Sequence, residues 1–344
     1  MKALIICRDN IGDTIVATPL IRSISAELNY DVDVLANSYN AAVLEGNSHV
    51  NKLYIYQKTH HREKNASVMK IVFRRIALVL ALRKNKYDVV FIAKGCWDKR
   101  VMRWISLIKP GRVIALGKEK HPLISDLVTP PENCAMSIVT RFHYLMKPFA
   151  AHSQPGPLAI AADPYQVSSL RKKHPISDTL PVFGLNISSR KVRQRWSVEN
   201  FAELAKRLAA TLPCQLVLLW SPGAEDNPCH PGDDEKARKM LALCQGLPIT
   251  AVPTSELKNM IAATQLCDFV VCSDGGAMHI AAALQKPIVA LFGNSDPVCW
   301  APWGVPHEIL QTPDENVMSL SVDAVFEKTM HLARAVNLVN SNVA

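Results

Sequence analysis

The sequence predicts two successive α/β units, each a doubly wound parallel sheet with helices packed on it, facing each other across a cleft. Three observations carry this. At roughly 100–200 residues per domain, a chain of 344 residues favours two domains over one. In both halves, short apolar runs alternate with helical or polar stretches, as a parallel sheet flanked by helices requires. Between the halves prolines gather at positions 155, 157, 164, 175 and 181, which marks a connection rather than a packed element. The expected boundaries are an N-terminal domain over 1–155, a linker over 156–179, a C-terminal domain over 180–320, and a closing helix and tail over 321–344.

The elements follow in order. Lys2–Cys7, Val32–Leu35, Leu53–Tyr56, Val89–Ala93 and Val113–Leu116 read as strands of the first sheet. The first of them enters a polar loop containing Gly12, then the helical spacing Ile15, Ala17, Leu20, Ile21, Ile24. Asn65 to Lys86 reads as one long helix. Met69, Ile71, Val72, Phe73, Ile76 and Leu80 form its apolar side, which reads either as packed on its own sheet or, with Lys70, Arg74, Arg75, Arg83, Lys84 and Lys86 bracketing it, as a face toward a membrane surface. In the second half the strands are Val182–Ile187, Gln215–Trp220, Ile249–Val252, Phe269–Cys272 and Ile288–Phe292. Ser197 and Ser255 are expected to cap the helices that follow them, and a last helix runs from about Val322 to Val336.

Composition narrows the class. With 49% hydrophobic and 20% charged residues the chain can bury a substantial core, which excludes collagen-like, low-complexity and disulfide-scaffold proteins. Apolar runs such as Ile76 to Leu82 fall far short of the roughly 20 residues of a membrane-spanning helix. The N-terminus has no small-residue cleavage site, so a cytoplasmic location is expected. Nine cysteines without a C-x-x-C pair fit reduced thiols, and Cys267 and Cys272 read as packing residues. Charge is uneven: residues 1–150 hold 23 Lys and Arg against 12 Asp and Glu, a net +11, whereas residues 151–344 hold 16 against 18, a net −2. An anionic partner for the first half is implied, be it nucleic acid, an acidic membrane surface or an acidic substrate; a well-solvated surface is the plain alternative.

In doubly wound sheets ligands sit beyond the carboxyl ends of the strands, so the informative residues are those just after each strand. After the first strand comes Arg8-Asp9-Asn10-Ile11-Gly12-Asp13-Thr14, then Ala17-Thr18-Pro19. Asp13 at a helix start reads both as a capping carboxylate and as a general base. After Phe269–Cys272 comes Ser273-Asp274-Gly275-Gly276-Ala277-Met278-His279, a strand turning at once into a small-residue helix. Free backbone N–H groups at such a turn suit a diphosphate, while His279 reads equally as a core histidine. After the first strand of the second half, Ser188-Ser189-Arg190-Lys191-Val192-Arg193-Gln194-Arg195-Trp196 offers hydroxyls and cations to phosphate oxygens. A fourth loop, Ser221 to Asp226 and on to Asp233-Asp234-Glu235-Lys236, supplies carboxylates suited to ribose hydroxyls, or an ordinary acidic surface. No Walker loop, G-x-G-x-x-G, G-x-S-x-G or H-E-x-x-H occurs, which removes the usual support for NTPase, simple dehydrogenase, α/β-hydrolase and zincin readings.

With these motifs in this order, the chain resembles the ADP-heptose:lipopolysaccharide heptosyltransferases, glycosyltransferase family 9, from Lys2 to about Val336. Gly12-Asp13 with Thr18-Pro19, Asp274-Gly275-Gly276 to His279, and the AAALQKPIVALFG run ending at Gly293 carry the resemblance. It implies the GT-B fold of two facing Rossmann-like domains, the first acceptor-side and the second nucleotide-sugar-binding. It also implies inverting, metal-independent transfer of heptose from ADP-heptose to the lipopolysaccharide core, with no cofactor beyond that donor. Asp13 would be the base. Ser188, Ser189, Arg193, Arg195, Glu235, Asp274, Gly275, Gly276 and His279 would serve the donor, and Gly12, Arg62 and Lys64 the acceptor side. The sole D-x-D, Asp31-Val32-Asp33, enters its strand from the wrong end to hold a metal in the cleft.

The family's lysine two residues before Trp196 is Gln194 here, which leaves open which arginine meets the phosphates and whether the donor is heptose. The expected partners are a nucleotide sugar and a lipid A-core acceptor at the cytoplasmic face of the inner membrane, with no nucleic acid: no stacking aromatics interleave with the basic cluster. Alternatives are a GT-B enzyme using another nucleotide sugar, whether transferase or 2-epimerase, and a non-enzymatic module for anionic surfaces.

Overall fold

A computed structural model describes residues 1–57, 68–131, 135–150, 153–227 and 231–339. Internal contacts divide the chain into two units, Met1–Ala161 and Ala162–Ala344. In the first, β1 (Lys2–Cys7), β2 (Asp31–Asn37), β3 (Lys52–Tyr56), β4 (Val89–Ile92), β5 (Arg112–Leu116) and β6 (Asp126–Val128) form one parallel sheet in the order β3-β2-β1-β4-β5-β6. Its helices are α1 (Ile11–Ile15), α2 (Thr18–Ala26), α3 (Val68–Lys84), α4 (Lys99–Ile108) and α5 (Ile138–His143).

The second unit repeats the plan. Here β7 (Val182–Asn186), β8 (Gln215–Trp220), β9 (Ile249–Pro253), β10 (Phe269–Ser273), β11 (Ile288–Phe292) and β12 (His307–Gln311) form a parallel sheet in the order β12-β11-β10-β7-β8-β9. Around it lie α6 (Pro164–Lys173), α7 (Val198–Thr211), α8 (Asp234–Leu243), α9 (Leu257–Gln265), α10 (Gly276–Ala283), α11 (Pro297–Trp300) and α12 (Val322–Ala335). Each sheet is built outward from its first strand to one edge and then from its fourth to the other. The chain therefore reverses direction between β1 and β4 and between β7 and β10, and at those switch points the loops part to leave a crevice.

Central strands are buried on both faces, so they appear in the sequence as unbroken apolar runs: every residue of β4, β7, β10 and β11 is buried. Strands β6 and β12 had no such signal. Each lies at a sheet edge, with a single buried residue. The helical spacing from Ile15 to Ile24 is divided between α1 and α2, because Pro19 lacks the N–H that would continue the first helix. The Thr18 hydroxyl bonds the Ile15 carbonyl at 2.7 Å instead, which gives the Thr-Pro pair a structural purpose.

Ser197 caps α7 by accepting from the Asn200 N–H. Ser255 does not cap α9; the cap position is Glu256, and the Ser255 hydroxyl takes the Asn259 side chain. Helix α6 falls within the proline-rich stretch and packs on α9 of the second unit. Helix α12 packs on α7, and its Val325, Met330 and Leu332 enter that unit's core.

Helix α3 does not turn its apolar stripe onto its own sheet. Leu78, Val79 and Leu82 pack into the core beside Trp104, while Met69, Val72, Phe73, Ile76 and Leu80 face solvent. Cys267 and Cys272 are buried free thiols, and desolvation pushes Cys267 up to about 12, so it packs rather than reacts. Its Sγ lies 2.7 Å from where a Cβ on Gly184 would stand, so the glycine makes room for the thiol.

Candidate functional site

At the first switch point, the loop after β1 and the loop after β4 are tied by charge. Lys94 follows β4 and bonds Asp9 at 3.1 Å and Asp98 at 3.0 Å; Arg8 approaches Asp98 at 3.5 Å and donates to the Tyr56 hydroxyl at 3.1 Å. Partial burial alone would lower the Lys94 pKa, but hydrogen bonds and attraction from Asp98 and Asp9 outweigh it and raise it. Beneath, two asparagines brace the loop: Asn37 donates to the Arg8 and Asp9 carbonyls, and Asn40 donates to the Cys7 carbonyl and to the Thr14 hydroxyl.

Asp13 sits on this braced loop as the third residue of α1. Its Oδ2 accepts from the Asn10 backbone N–H at 3.0 Å and from the Asn10 side chain at 3.1 Å. This reciprocal cap fixes the carboxylate's direction, and its described contacts all fall on that one oxygen. Gly12 is the second residue of α1, so the polar loop after β1 passes into the helix one residue before it. Arg62 and Lys64 lie outside the described residues.

At the second switch point the tie is neutral to acid. The loop after β7 carries Gln194, which donates its amide to Asp274 Oδ2 at 2.7 Å and to Ser295 Oγ at 2.9 Å. Both Gln194 and Asp274 are buried. Gly275 then caps α10 at φ +151° and ψ −163°, and a Cβ placed there would meet nothing within 4 Å. The first backbone N–H groups of α10 thus open on free space beside Asp274, an arrangement that receives anions. His279, in the first turn of α10, is buried with its ring 6.0 Å from that of Trp300.

Gly293, which ends the AAALQKPIVALFG run, explains how Gln194 comes so close. A Cβ on Gly293 would stand 2.4 Å from the Arg193 carbonyl oxygen. The glycine lets the Arg193–Gln194 backbone close over the end of β11.

The remaining predicted residues group differently. Ser188 Oγ donates to Asp233 at 2.6 Å and accepts from the Ser221 N–H; Lys236 bridges Asp233 at 2.6 Å and Glu225 at 3.1 Å; Arg195 reaches Glu225 at 3.3 Å and the Ser189 carbonyl at 3.0 Å. One network therefore links Ser188, Ser189 and Arg195 to the fourth loop. Glu235 is not in it: its side chain is 75% exposed and pairs with Arg238 on the surface of α8. The carboxylates joined to the loop after β7 are Asp233, two residues before Glu235, and Glu225, ten residues before it. Arg193 is exposed and donates to the Asp314 carbonyl at 3.4 Å. Ser295, Lys94 and the two asparagines lay outside the sequence-based site, and Gln194 stood in it only as the replacement for the family's lysine; the side-chain geometry gives it its partner Asp274.

Asp31 and Asp33 are at the amino end of β2, where Asp33 accepts from Asn51 at 2.8 Å and from the Tyr87 hydroxyl at 2.6 Å. Asp33 is thus tied into the fold, while Asp31 is exposed. Among the described residues, no group of three or more His, Cys, Asp or Glu could hold a metal ion.

Two doubly wound parallel sheets in one chain, the second with a helix start at its switch point, give the architecture of the GT-B fold. The protein belongs to glycosyltransferase family 9 (heptosyltransferase), whose model matches residues 75–331. Lipopolysaccharide heptosyltransferase 2 of Escherichia coli strain K12 is 26% identical over 309 residues, 86% of this chain and 84% of that one. Among solved structures, the glycosyl transferase family 9 protein from Veillonella parvula superposes with a TM-score of 0.80 at 17% identity over 97% of both chains. The E. coli ADP-heptose lps heptosyltransferase II does so with a TM-score of 0.77 at 21% identity, over 98% of this chain and 100% of that one.

Proposed function

We propose that the protein transfers heptose from ADP-heptose to the lipopolysaccharide core, with inversion and without a metal, peripherally at the cytoplasmic face of the inner membrane. The family match over residues 75–331 carries this reading. In the proposed step, Asp13 takes the proton of the acceptor hydroxyl through the oxygen that Asn10 does not occupy. The acceptor oxygen attacks the anomeric carbon, the bond from that carbon to the diphosphate oxygen breaks, and ADP leaves from the opposite face.

Negative charge builds on the departing diphosphate. The N–H groups of α10 after Gly275 and Gly276, together with Arg193 and Arg195, meet that charge in place of a metal ion. Asp274, oriented by Gln194, accepts hydroxyl groups of the donor sugar, and the Ser188 and Ser189 loop flanks the phosphates. His279 backs the nucleotide from within α10.

A second reading keeps the transfer and changes the donor. A buried neutral Gln194, where the family commonly has lysine, favours a nucleotide sugar other than ADP-heptose. Calorimetry with ADP and UDP, and turnover of ADP-heptose on a heptose-deficient core acceptor without divalent metal, tests both. Adenine-selective binding retained in Asp13→Ala, with transfer reduced by about 10²-fold or more, supports the first reading. Uridine selectivity supports the second, and a single retained anomer in the product overturns inversion.

A further inference from the structure

The outward face of α3 carries an apolar stripe that its own unit does not use. Met69, Val72, Phe73, Ile76 and Leu80 recur at three- and four-residue spacings, so they share one helix face, and each is between 49% and 68% exposed. The opposite face does the folding work: Leu78, Val79 and Leu82 join the core, and Arg75 lies over the Trp104 ring at 5.8 Å. The solvent-facing stripe is thus additional to what holds the helix on its sheet.

The surroundings of the stripe indicate its partner. Arg83 and Lys84 are exposed at its C-terminal end and Arg74 at its side. Helix α4 packs beside α3 and exposes Arg100, Arg103 and an apolar Leu107. Neither helix contains a single Asp or Glu. Contiguous exposed apolar surface marks a place of association, and cations of one sign around it select a partner that is apolar within and anionic at its rim. A second copy of this chain would set the same cations against each other, and an apolar protein groove would leave them unanswered.

We propose that the outward face of α3, with Arg100 and Arg103 of α4 beside it, docks in the interface of an anionic phospholipid bilayer. Phe73, Ile76 and Leu80 enter the acyl boundary while Arg74, Arg83 and Lys84 reach the headgroup phosphates along their own aliphatic stems. Helix α3 has 17 residues, about 25 Å of length to lie in the plane. No described helix is long and apolar enough to cross a membrane, so the contact is with one leaflet. This deepens the location given in the proposed function and rests on that reading only for which membrane is met.

The test is co-flotation of the full chain with vesicles of phosphatidylcholine, alone or with roughly one-third phosphatidylglycerol, at low and at about 1 M salt. The wild type is expected to bind the anionic vesicles at low salt and to release them at high salt. The triple change Phe73→Ser, Ile76→Ser, Leu80→Ser should weaken binding about ten-fold or more, and the pair Arg83→Gln, Lys84→Gln by a similar factor. Because all five side chains are exposed, Tm and ADP binding should stay at wild-type values. Absence of anionic-vesicle binding, or binding that the triple change leaves intact, overturns the proposal. A concentration-dependent dimer dissolved by the triple change, with no vesicle binding, overturns it in favour of a second copy. Transfer to a soluble, lipid-free core acceptor is read in parallel: vesicle binding without transfer counts against the functional reading alone, and transfer without vesicle binding against this one alone.

Discussion

Gln194 and Asp274 meet at 2.7 Å where the loops after β7 and β10 part, both side chains buried. The carboxylate is held by a neutral amide that also reaches Ser295. Gln194→Leu keeps the volume and removes both donated bonds, so Asp274 loses a buried partner. Stability should fall by about 1–3 kcal/mol in urea unfolding, and affinity for the intact ADP-heptose donor should fall with it. Unchanged values of both would show that Asp274 is oriented by something other than Gln194.

Gly293 controls the same contact from beneath. In Gly293→Ala the new Cβ meets the Arg193 carbonyl at 2.4 Å and the Gln194 side chain at 3.2 Å, and a backbone oxygen cannot swing away as a flexible side chain could. The loop must lift. A loss of about 1–3 kcal/mol is expected, together with weakened binding of the intact nucleotide-sugar donor in calorimetry. Loss of stability with donor affinity preserved would place Gln194 outside the donor contact.

At Gly275 the obstacle is conformational rather than steric. A Cβ there has open space, yet φ +151° with ψ −163° is a region that side-chain-bearing residues avoid. Gly275→Ala should cost about 1–3 kcal/mol by thermal unfolding and re-aim the first N–H groups of α10, weakening ADP binding. If the variant binds ADP as the wild type does, the α10 start is not the anion site.

The sequence made most of this fold legible because buried parallel strands leave continuous apolar runs, and strands such as Lys2–Cys7 and Gln215–Trp220 were readable to their ends. Strands β6 and β12 were not, since an edge strand buries too little to leave a pattern. Helix α3 shows the limit of periodicity: an apolar stripe fixes which residues share a face but not whether that face turns inward, and here the stripe that packs is the smaller one at Leu78 and Leu82. The loops after β1, β7 and β10 were legible by position, because switch-point chemistry follows from topology. Which carboxylate joins Ser188 was not, because Glu225, Asp233, Asp234 and Glu235 are alike in sequence and only the turn between them decides that Asp233 faces inward while Glu235 faces solvent.

Asp98 links the first switch point to pH. Burial by itself would raise its pKa, but the Val101 N–H, Lys94 and Arg8 outweigh that and hold it below the ordinary 3.8. A carboxylate whose folded pKa is depressed stabilises the fold above its unfolded pKa, and that contribution disappears as pH falls through the folded value. Lys94, with a raised pKa, contributes below its unfolded value near 10.5 and loses that contribution as pH rises through the folded one. The Asp98–Lys94 pair is therefore at full strength around neutrality. Asp98 is 35% exposed and Lys94 30%, so solvent screening keeps the effect modest, at most about 1 kcal/mol. Asn at position 98 can still cap α4, which isolates the charge. Asp98→Asn should therefore be less stable than the wild type in urea unfolding at pH 7, and the gap should narrow as the pH falls below 3.8 and the wild-type carboxyl takes up its proton. A gap that stays constant across this range would mean that Asp98 acts through its cap alone and that the Lys94 pairing adds nothing to stability.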